Sequence, residues 1–260
     1  MTASVPDALV AFAEELADAA GAIIRRYFRS GFDIIDKPDL SPVTIADREA
    51  EAAIRDLVAT RLPAHGIIGE EHGADRPEAE FVWVVDPIDG TKGFTCGRPL
   101  FGTLIALCRD GVPIVGIVDH PALGERWVGA TGRPTTFCGQ PVHTRIGRRI
   151  GNAVLLASSP HMFKGPQQAA FDRVRHACRF VQYGSDCYHY GIVASGNGDI
   201  VIEASMGIYD YLAAVPVIEG AGGIATDWDG RKLTIASGDT VLAAGDATLH
   251  DAARRLLDAG

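Results

Sequence analysis

Residues 81–94 read FVWVVDPIDGTKGF, and this stretch decides the predicted fold. Residues 81–85 form an apolar run that predicts a buried strand, which ends at Asp86 and Pro87. In α/β folds, the loop after the carboxyl end of a strand is a common place for an active site. The stretch therefore predicts an α/β fold with a functional site that begins at Asp86.

The residues that follow the strand predict a metal and phosphate site. Asp86 and Asp89 flank a rigid proline and one further residue, so both carboxylates and the Ile88 carbonyl can face one point. Divalent cations such as Mg²⁺ prefer oxygen ligands of this kind. Gly90 and Thr91, if they open a helix, offer backbone N–H groups to a phosphate. The structural alternative is a turn in which an aspartate caps the helix.

Further carboxylates elsewhere in the chain strengthen the functional interpretation. Glu70 and Glu71 follow a short apolar run, Asp47 follows the sequence SPVT, and Asp210 ends the sequence GIYD before an apolar helix. If these side chains converge, their like charges repel, and such a cluster demands metal ions or raised pKa values. Spacing along the chain does not prove that they converge.

Outward from this stretch, helical and strand-like patterns alternate in both halves of the chain, which predicts layered sheets and helices. The first two predicted helices begin near Pro6 and near Thr44. Four more are predicted over residues 166–177, 187–194, 210–220 and 251–259. Predicted strands cover residues 103–108, 114–118, 126–130, 153–157 and 200–204. A polar segment at 132–149, rich in Gly and Pro, is expected to join two subdomains.

Composition limits the partners and the compartment. The 260 residues include 33 Asp plus Glu and 24 Lys plus Arg, a net charge of −9. Nucleic acids and anionic membranes are held by basic patches, so neither is an expected partner. The five cysteines form no C-x-x-C pair, which favours reduced thiols over a zinc or redox site. No signal peptide is recognisable and no run reaches the roughly 18 apolar residues of a membrane span. We therefore expect a cytoplasmic protein.

Four segments resemble motifs of the inositol monophosphatase superfamily, whose members are Mg²⁺-dependent, often lithium-sensitive phosphomonoesterases. They are DKPDLSPVTIADREAE, GIIGEEHG, WVVDPIDGTKGF and YDYLAAVPVIEGAGG. The resemblance implies one unit over residues 1–260. Its fold would be a five-layer αβαβα sandwich of the inositol monophosphatase and fructose-bisphosphatase type. A homodimer is also implied, as are subdomains over about 1–145 and 146–260.

The same resemblance implies a set of metal ligands. Glu70, Asp86 and the Ile88 carbonyl would hold a first Mg²⁺, and Asp86, Asp89 and Asp210 would hold a second. A third, weaker ion would use Glu70 and water. Two such ions can activate an attacking water and stabilise the leaving oxygen. Two to three Mg²⁺ ions are therefore the expected cofactors, and no phosphoenzyme is expected because water attacks directly.

Catalytic and phosphate-binding roles also come from the resemblance. Thr91, paired with Asp47, would orient and deprotonate the attacking water, and Glu70 would belong to the same catalytic group. The backbone of Gly90 and Thr91 would cradle the phosphate of a small phosphomonoester substrate. Apart from the resemblance, the position of Lys37 before the SPVT segment suggests an electrostatic approach to the phosphate, although an exposed lysine with no such role fits the sequence equally well.

Two further segments bear on the substrate. YGSDCYHYGIVASG and YDYLAAVPVIEGAGGIATDWDG are most similar to bacterial and plant histidinol-phosphate phosphatases, and Tyr209 stands where the inositol branch has Trp. Glu203 and Asp186 match positions expected in the substrate pocket, and two extra carboxylates there suit the cationic histidinol. The alternatives are structural: Glu203 could end a surface strand, and Asp186 could cap the following helix.

Three functions are therefore open to test. The leading hypothesis is hydrolysis of L-histidinol phosphate to L-histidinol and phosphate, a step of histidine biosynthesis. The second is the same chemistry on inositol 1-monophosphate or another small sugar phosphate. The third belongs to a different class, a non-catalytic module that binds metal or phosphate.

Overall fold

A computed structural model describes residues 4–30, 34–36 and 42–259 of the chain, and Lys37 lies outside this part. The helices, numbered in chain order, are α1 (Asp7–Tyr27), α2 (Ile45–Arg61), α3 (Thr91–Thr95), α4 (Pro166–Ala177), α5 (Tyr188–Ala194), α6 (Ile208–Tyr211), α7 (Ala214–Gly220) and α8 (Ala247–Asp258). A single 3₁₀ turn at Ile150–Asn152 precedes the second half of the fold.

The strands fall into three sheets. They are β1 (Ile34–Asp36), β2 (Pro42–Thr44), β3 (Gly66–Gly69), β4 (Gly73–Asp75), β5 (Phe81–Asp89), β6 (Gly102–Arg109), β7 (Val112–His120), β8 (Glu125–Ala130), β9 (Thr136–Phe137), β10 (Gln140–Pro141), β11 (Val154–Ala157), β12 (Phe180–Tyr183), β13 (Ile200–Glu203), β14 (Ile224–Thr226) and β15 (Val241–Ala244). β1 and β2 pair as a short antiparallel ribbon. The other thirteen form two larger sheets.

The first large sheet has eight strands in the order β10-β9-β8-β7-β6-β5-β3-β4. All neighbours are antiparallel except β3 and β5, which are parallel. The segment 132–149, predicted to be a linker, contributes β9 and β10 to the edge of this sheet. The second sheet has five strands in the order β12-β11-β13-β15-β14.

Helices and sheets alternate in five layers, which confirms the predicted αβαβα sandwich. Helices α1 and α2 cover the outer face of the first sheet, where Leu16 and Ile54 share one core with Trp83. Helices α5 to α7 lie between the two sheets in a second core. Helices α4 and α8 cover the outer face of the second sheet, with Phe171 and Leu249 in a third core. The outer helices each bury one apolar face, whereas residues 214–218 of α7, between the two sheets, are all buried, and three separate cores hold the layers together.

Strand β5 is longer than the sequence predicts. It continues through Asp86 and Pro87 to Asp89, with Asp86 opposite Leu104 and Asp89 opposite Gly102. The register shifts between the two aspartates, so this end of the strand is bulged. A bulge tolerates a proline that lacks an N–H donor, and it also redirects side chains at the end of a strand. The bulge therefore turns the Asp86–Asp89 segment into the site.

Two predicted helices differ in their boundaries. The helix predicted for 210–220 is divided into α6 and α7, so Asp210 lies in the last turn of a separate four-residue helix. The C-terminal helix begins at Ala247 rather than at 251, because the Asp246 carboxylate caps it by accepting the Leu249 N–H at 2.9 Å.

The two large sheets draw on successive parts of the chain, residues 66–141 and 154–244. The division into subdomains at about residue 145 would fall between them and stays a prediction. Within the described residues, no helix is both long enough and apolar enough to cross a bilayer.

Close packing between the first sheet and the middle helices generates a stability prediction. A Cβ at Gly116 of β7 would overlap the carbonyl oxygen of Ala213, at the start of α7. We expect Gly116→Ala to destabilise the fold by about 1–3 kcal/mol through overpacking, which corresponds to a Tm lowered by roughly 2–10 °C. Gly238→Ala is the matched control, because a Cβ there meets nothing within 4 Å. Equal Tm values for the two variants would contradict the packing argument.

Candidate active site

Three aspartates converge where β5 ends. Asp86 and Asp89 come from the bulged end of β5, and Asp210 comes from α6, which packs against β5 and β6. Ligand oxygens of the three side chains all lie within 4.8 Å of one another. The predicted convergence of these three residues is therefore present in the structure.

Backbone hydrogen bonds orient each of these carboxylates. Asp86 Oδ1 accepts the Ile88 N–H at 3.0 Å, and Asp210 Oδ2 accepts the Gly207 N–H at 2.7 Å. Asp89 Oδ2 accepts the Cys187 N–H at 2.6 Å. Because Cys187 lies just before α5, this last bond ties the second half of the chain to the end of β5.

Glu70 joins the cluster through the parallel pairing of β3 and β5. Gly69 lies opposite Val85 in that pairing, and the Glu70 N–H donates to the Val85 carbonyl at 3.3 Å. Glu70 consequently leaves the sheet beside Asp86, and its charge is among those that raise the pKa of Asp86. The sequence GEE thus delivers a fourth carboxylate to the site.

Burial and like charge raise the pKa values of the central aspartates. For Asp86 the largest cause is burial, followed by the carboxylates of Glu70, Asp89 and Asp210. For Asp89 burial again comes first, followed by Asp186 and Asp210. Ionising all of these groups together is unfavourable unless a cation neutralises them. The candidate metal-ligand atoms are all oxygens, so these residues fit a hard divalent cation.

Asp47 and Thr91 are near the site but form hydrogen bonds with other residues. Asp47 is 1% exposed, and its Oδ2 accepts the Thr44 N–H at 2.8 Å and the Thr44 hydroxyl at 2.5 Å, which caps α2. Burial raises the pKa of Asp47 to about 7. The Thr91 hydroxyl donates to the Ile88 carbonyl at 3.0 Å. The predicted contact between Thr91 and Asp47 is not formed in this arrangement, and their joint role stays a prediction.

Gly90 and Asp186 lie against each other beside the aspartates. Gly90 precedes α3 with φ of +82°, and a Cβ there would lie 2.6 Å from the Asp186 carboxylate. Only glycine combines this backbone conformation with so close an approach. Asp186 precedes α5 but does not cap it, so the capping alternative is wrong. Burial raises the pKa of Asp186, and the cations Arg98 and Lys92 oppose that shift.

Glu203 is buried at the end of β13. It is 0% exposed, so the alternative of a surface strand is wrong. Its Oε1 accepts the Ser158 N–H at 3.1 Å as well as the Ser158 hydroxyl, and its Oε2 accepts the Tyr190 hydroxyl at 2.6 Å. Burial raises the pKa of Glu203, and these hydrogen bonds lower it. Its predicted contact with substrate stays a prediction.

Several residues at the site escaped the sequence analysis. Arg98 donates to the Gly184 carbonyl and so fastens the turn that carries Asp186. The Cys187 N–H, Ser158 and Tyr190 hold carboxylates in place. Cys187 and Tyr190 lie within the segment YGSDCYHYGIVASG, but their roles depend on contacts between distant segments, which the sequence does not show.

Comparisons with known proteins agree with this architecture. The model of the inositol monophosphatase family matches residues 6–259. The chain is 47% identical over 261 residues to the chloroplastic bifunctional phosphatase IMPL2 of Arabidopsis thaliana, covering 97% of this chain and 75% of that protein. It is 36% identical over 253 residues to the histidinol-phosphatase of Mycobacterium tuberculosis, covering 94% and 96%. A solved inositol monophosphatase from Zymomonas mobilis gives a TM-score of 0.90 at 44% identity, covering 97% of this chain and 98% of that one.

Fold, carboxylate cluster and relatives together define a phosphatase, a hydrolase of phosphoric monoesters. The chain belongs to the inositol monophosphatase family, as the sequence resemblance predicts. This family is generally metal-dependent and acts on small phosphomonoesters. Its relatives here include proteins named for histidinol phosphate and proteins named for inositol phosphate.

The converging carboxylates predict that the metal-free protein becomes less stable to unfolding as the pH rises. The pKa of Asp47 rises from 3.8 to about 7 on folding, and the pKa values of Asp86 and Asp89 rise as well. Such groups stabilise the fold below the unfolded-state pKa, and that contribution is lost as the pH rises through the folded-state pKa. In EDTA, we therefore expect Asp86→Asn to be more thermostable than wild type at pH 8 and to differ little at pH 4.

Stability must be compared between wild type and Asp86→Asn, because other buried groups change stability with pH in the opposite direction. Burial lowers the pKa of His120 and of His189 to about 4, so both destabilise the fold as the pH falls below 6.5. These histidines are common to both proteins, and their effect cancels in the difference. Adding Mg²⁺ at pH 8 should reverse the order, with wild type the more stable. A difference in Tm that is independent of pH in EDTA would show that Asp86 is not under electrostatic stress.

Proposed function

We propose that the protein is a Mg²⁺-dependent phosphatase that hydrolyses L-histidinol phosphate. The observation that supports this substrate is the position of Asp186, whose carboxylate lies against Gly90 and outside the Asp86, Asp89 and Asp210 cluster. A phosphate held at Gly90 and the metal ions would leave this carboxylate beside the alcohol portion of the substrate. Histidinol carries a cationic amine there, whereas inositol is neutral.

Five groups would hold two to three Mg²⁺ ions: the carboxylates of Glu70, Asp86, Asp89 and Asp210 and the carbonyl of Ile88. When bound, Mg²⁺ would neutralise the phosphate and make the attacking water more acidic. The convergence of these side chains and the raised pKa values of Asp86 and Asp89 support this assignment. The Ile88 carbonyl accepts one hydrogen bond from Thr91 and keeps a second lone pair for a cation.

The remaining roles belong to the chain itself. The N–H groups of Gly90 and Thr91 would bind phosphate oxygens, while the Thr91 hydroxyl, already donating to Ile88, would accept a hydrogen bond from the attacking water. Asp47 has a pKa of about 7, which suits a group that takes up a proton near neutral pH. Glu203 would approach the alcohol portion from the second sheet. Water attacks directly, so no phosphoenzyme forms.

A second candidate substrate is inositol 1-monophosphate or another small sugar phosphate. It is favoured by the similarity to the inositol monophosphatase of Zymomonas mobilis, at 44% identity. A higher kcat/KM for inositol 1-phosphate than for histidinol phosphate would favour it over our proposal. Whichever substrate is correct, we also propose that the protein forms a homodimer and that each chain has subdomains over about 1–145 and 146–260.

Asp186→Asn tests the substrate assignment, because it removes the charge and keeps the size of the side chain. Loss of a charged hydrogen bond is worth about 1.5–3 kcal/mol, so kcat/KM for histidinol phosphate should fall about 10–100-fold. The kcat/KM for inositol 1-phosphate should change less than about threefold, because the inositol ring carries no positive charge that would pair with Asp186. Asp110→Asn is the control, since Asp110 is an exposed turn residue. An equal loss on both substrates would remove the case for histidinol.

Phosphate binding tests the metal requirement without relying on turnover. The chain has a net charge of −9, and its site is lined by carboxylates, so a phosphate dianion is repelled until Mg²⁺ is bound. Calorimetry with inorganic phosphate should detect binding in Mg²⁺ and none in EDTA, and Asp210→Asn should weaken binding in Mg²⁺. Equal phosphate affinity in EDTA would contradict the proposal. Unchanged metal-dependent hydrolysis in Asp86→Asn would contradict the proposed two-metal site, because Asp86 is assigned to both ions.

A further inference from the structure

Glu51 of α2 is a buried carboxylate that takes no part in the mechanism described above. Its side chain is 0% exposed and lies on the buried face of α2, the helix that covers the first sheet. Burying a carboxylate is costly unless it is paired and hydrogen-bonded. The contacts of Glu51 all lead to one short loop and to the cation that neutralises it.

That loop is the turn between β3 and β4. Gly69 pairs with Gly73, so the three residues between them, Glu70, Glu71 and His72, form a tight hairpin loop. Glu51 Oε2 accepts the Glu71 N–H at 2.8 Å, and Oε1 accepts the His72 N–H at 3.1 Å. Both carboxylate oxygens of Glu51 are therefore used to satisfy backbone donors inside the loop.

Arg55 and Gly69 make further contacts with Glu51, and His72 Nδ1 lies 3.5 Å from Glu51 Oε1. Arg55, one turn along α2, donates from Nε to Glu51 Oε1 at 2.7 Å and also donates to the Gly73 carbonyl. It thereby neutralises Glu51 and holds the far end of the loop. A Cβ at Gly69 would overlap the Glu51 carboxylate, so a larger residue there would have to displace Glu51 from the loop.

The consequence is that Glu70 is held on both sides. Its own N–H donates to the Val85 carbonyl of β5 at 3.3 Å, and the next N–H along the chain, that of Glu71, donates to Glu51. The backbone that carries Glu70 is therefore set beside Asp86 before any cation arrives. Without Glu51, repulsion by Asp86 would favour loop conformations that carry Glu70 away from the cluster.

We infer that Glu51 is a positioning residue, which holds the 70–72 loop so that Glu70 faces Asp86 and can share a cation with it. This inference rests on the proposed function, because it takes Glu70 as a ligand of Mg²⁺. Glu51 itself touches neither substrate nor metal. Glutamine cannot replace it, because an amide has one acceptor oxygen and would place its NH₂ against a backbone N–H.

Calorimetric titration of the substrate-free protein with Mg²⁺ tests the inference. Loss of a residue that orients a metal ligand typically weakens metal affinity about 10–100-fold, and we expect a rise of about tenfold in the Mg²⁺ Kd of Glu51→Gln. In turnover, the Mg²⁺ concentration for half-maximal activity should rise by a similar factor, while kcat at saturating Mg²⁺ should stay within about threefold of wild type. Glu49→Gln is the matched control, on the same helix with a side chain 42% exposed.

The outcomes separate this inference from the proposed function. A purely structural role for Glu51 predicts a lower Tm with an unchanged Mg²⁺ Kd, and that result would overturn the inference alone. If the wild-type protein binds no Mg²⁺, the proposed function is wrong and the inference falls with it.

Hydrogen exchange on the unsubstituted protein provides a second test that does not depend on the folding of a variant. The amides of Glu71 and His72 should be protected in EDTA, because their acceptor is Glu51 and not a cation. Exchange of both amides in EDTA at the rate of an unstructured peptide would overturn the inference, since the loop would then not be set in advance.

Discussion

Asp86, Asp89 and Asp210 bring ligand oxygens within 4.8 Å of one another at the end of a buried strand. Burial, followed by repulsion from neighbouring carboxylates, raises the pKa values of Asp86 and Asp89. A chain gains nothing in stability from such an arrangement, so the surrounding structure must impose it. Bound divalent cations would convert the same cluster from a source of repulsion into an anion-binding site.

The surrounding structure imposes the cluster through backbone groups. Each of the three aspartates accepts a backbone N–H: Asp86 from Ile88 and Asp210 from Gly207 within their own segments, and Asp89 from Cys187 in the second half of the chain. These donors are neutral, so they orient the carboxylates without satisfying their charge. The carboxylates are therefore oriented by the protein, but cations are still needed to neutralise their charge.

The five layers determine which segments can reach the site. The first sheet supplies Asp86, Asp89 and Glu70 at neighbouring strand ends, and the middle helical layer supplies Asp210 and the turn with Asp186. Asp86 and Asp89 thus come from the first sheet, whereas the carboxylate next to Gly90 comes from the turn before α5. Under the proposed role of Asp186, substrate preference would change through the turn at 184–187 while Asp86 stays in place on β5, which is consistent with one family containing phosphatases of different named substrates.

The sequence alone predicted most of the helices, the long strands of the first sheet and oxygen ligands that fit a divalent cation, but not the short strands β9, β10, β12, β14 and β15. Apolar periodicity and the cap at Thr44 predicted the first two helices, and the motif at 86–91 with GEE and GIYD predicted the carboxylates, because these signals are local. Contacts in the folded protein divide the 210–220 helix, bulge β5, bury Glu203 and direct the Thr91 hydroxyl to Ile88. The tertiary structure also revealed the contact of Glu51 with the loop that carries Glu70. The physical reason is range: propensity and motif spacing act between neighbours in the chain, whereas these features depend on contacts between segments that only packing brings together.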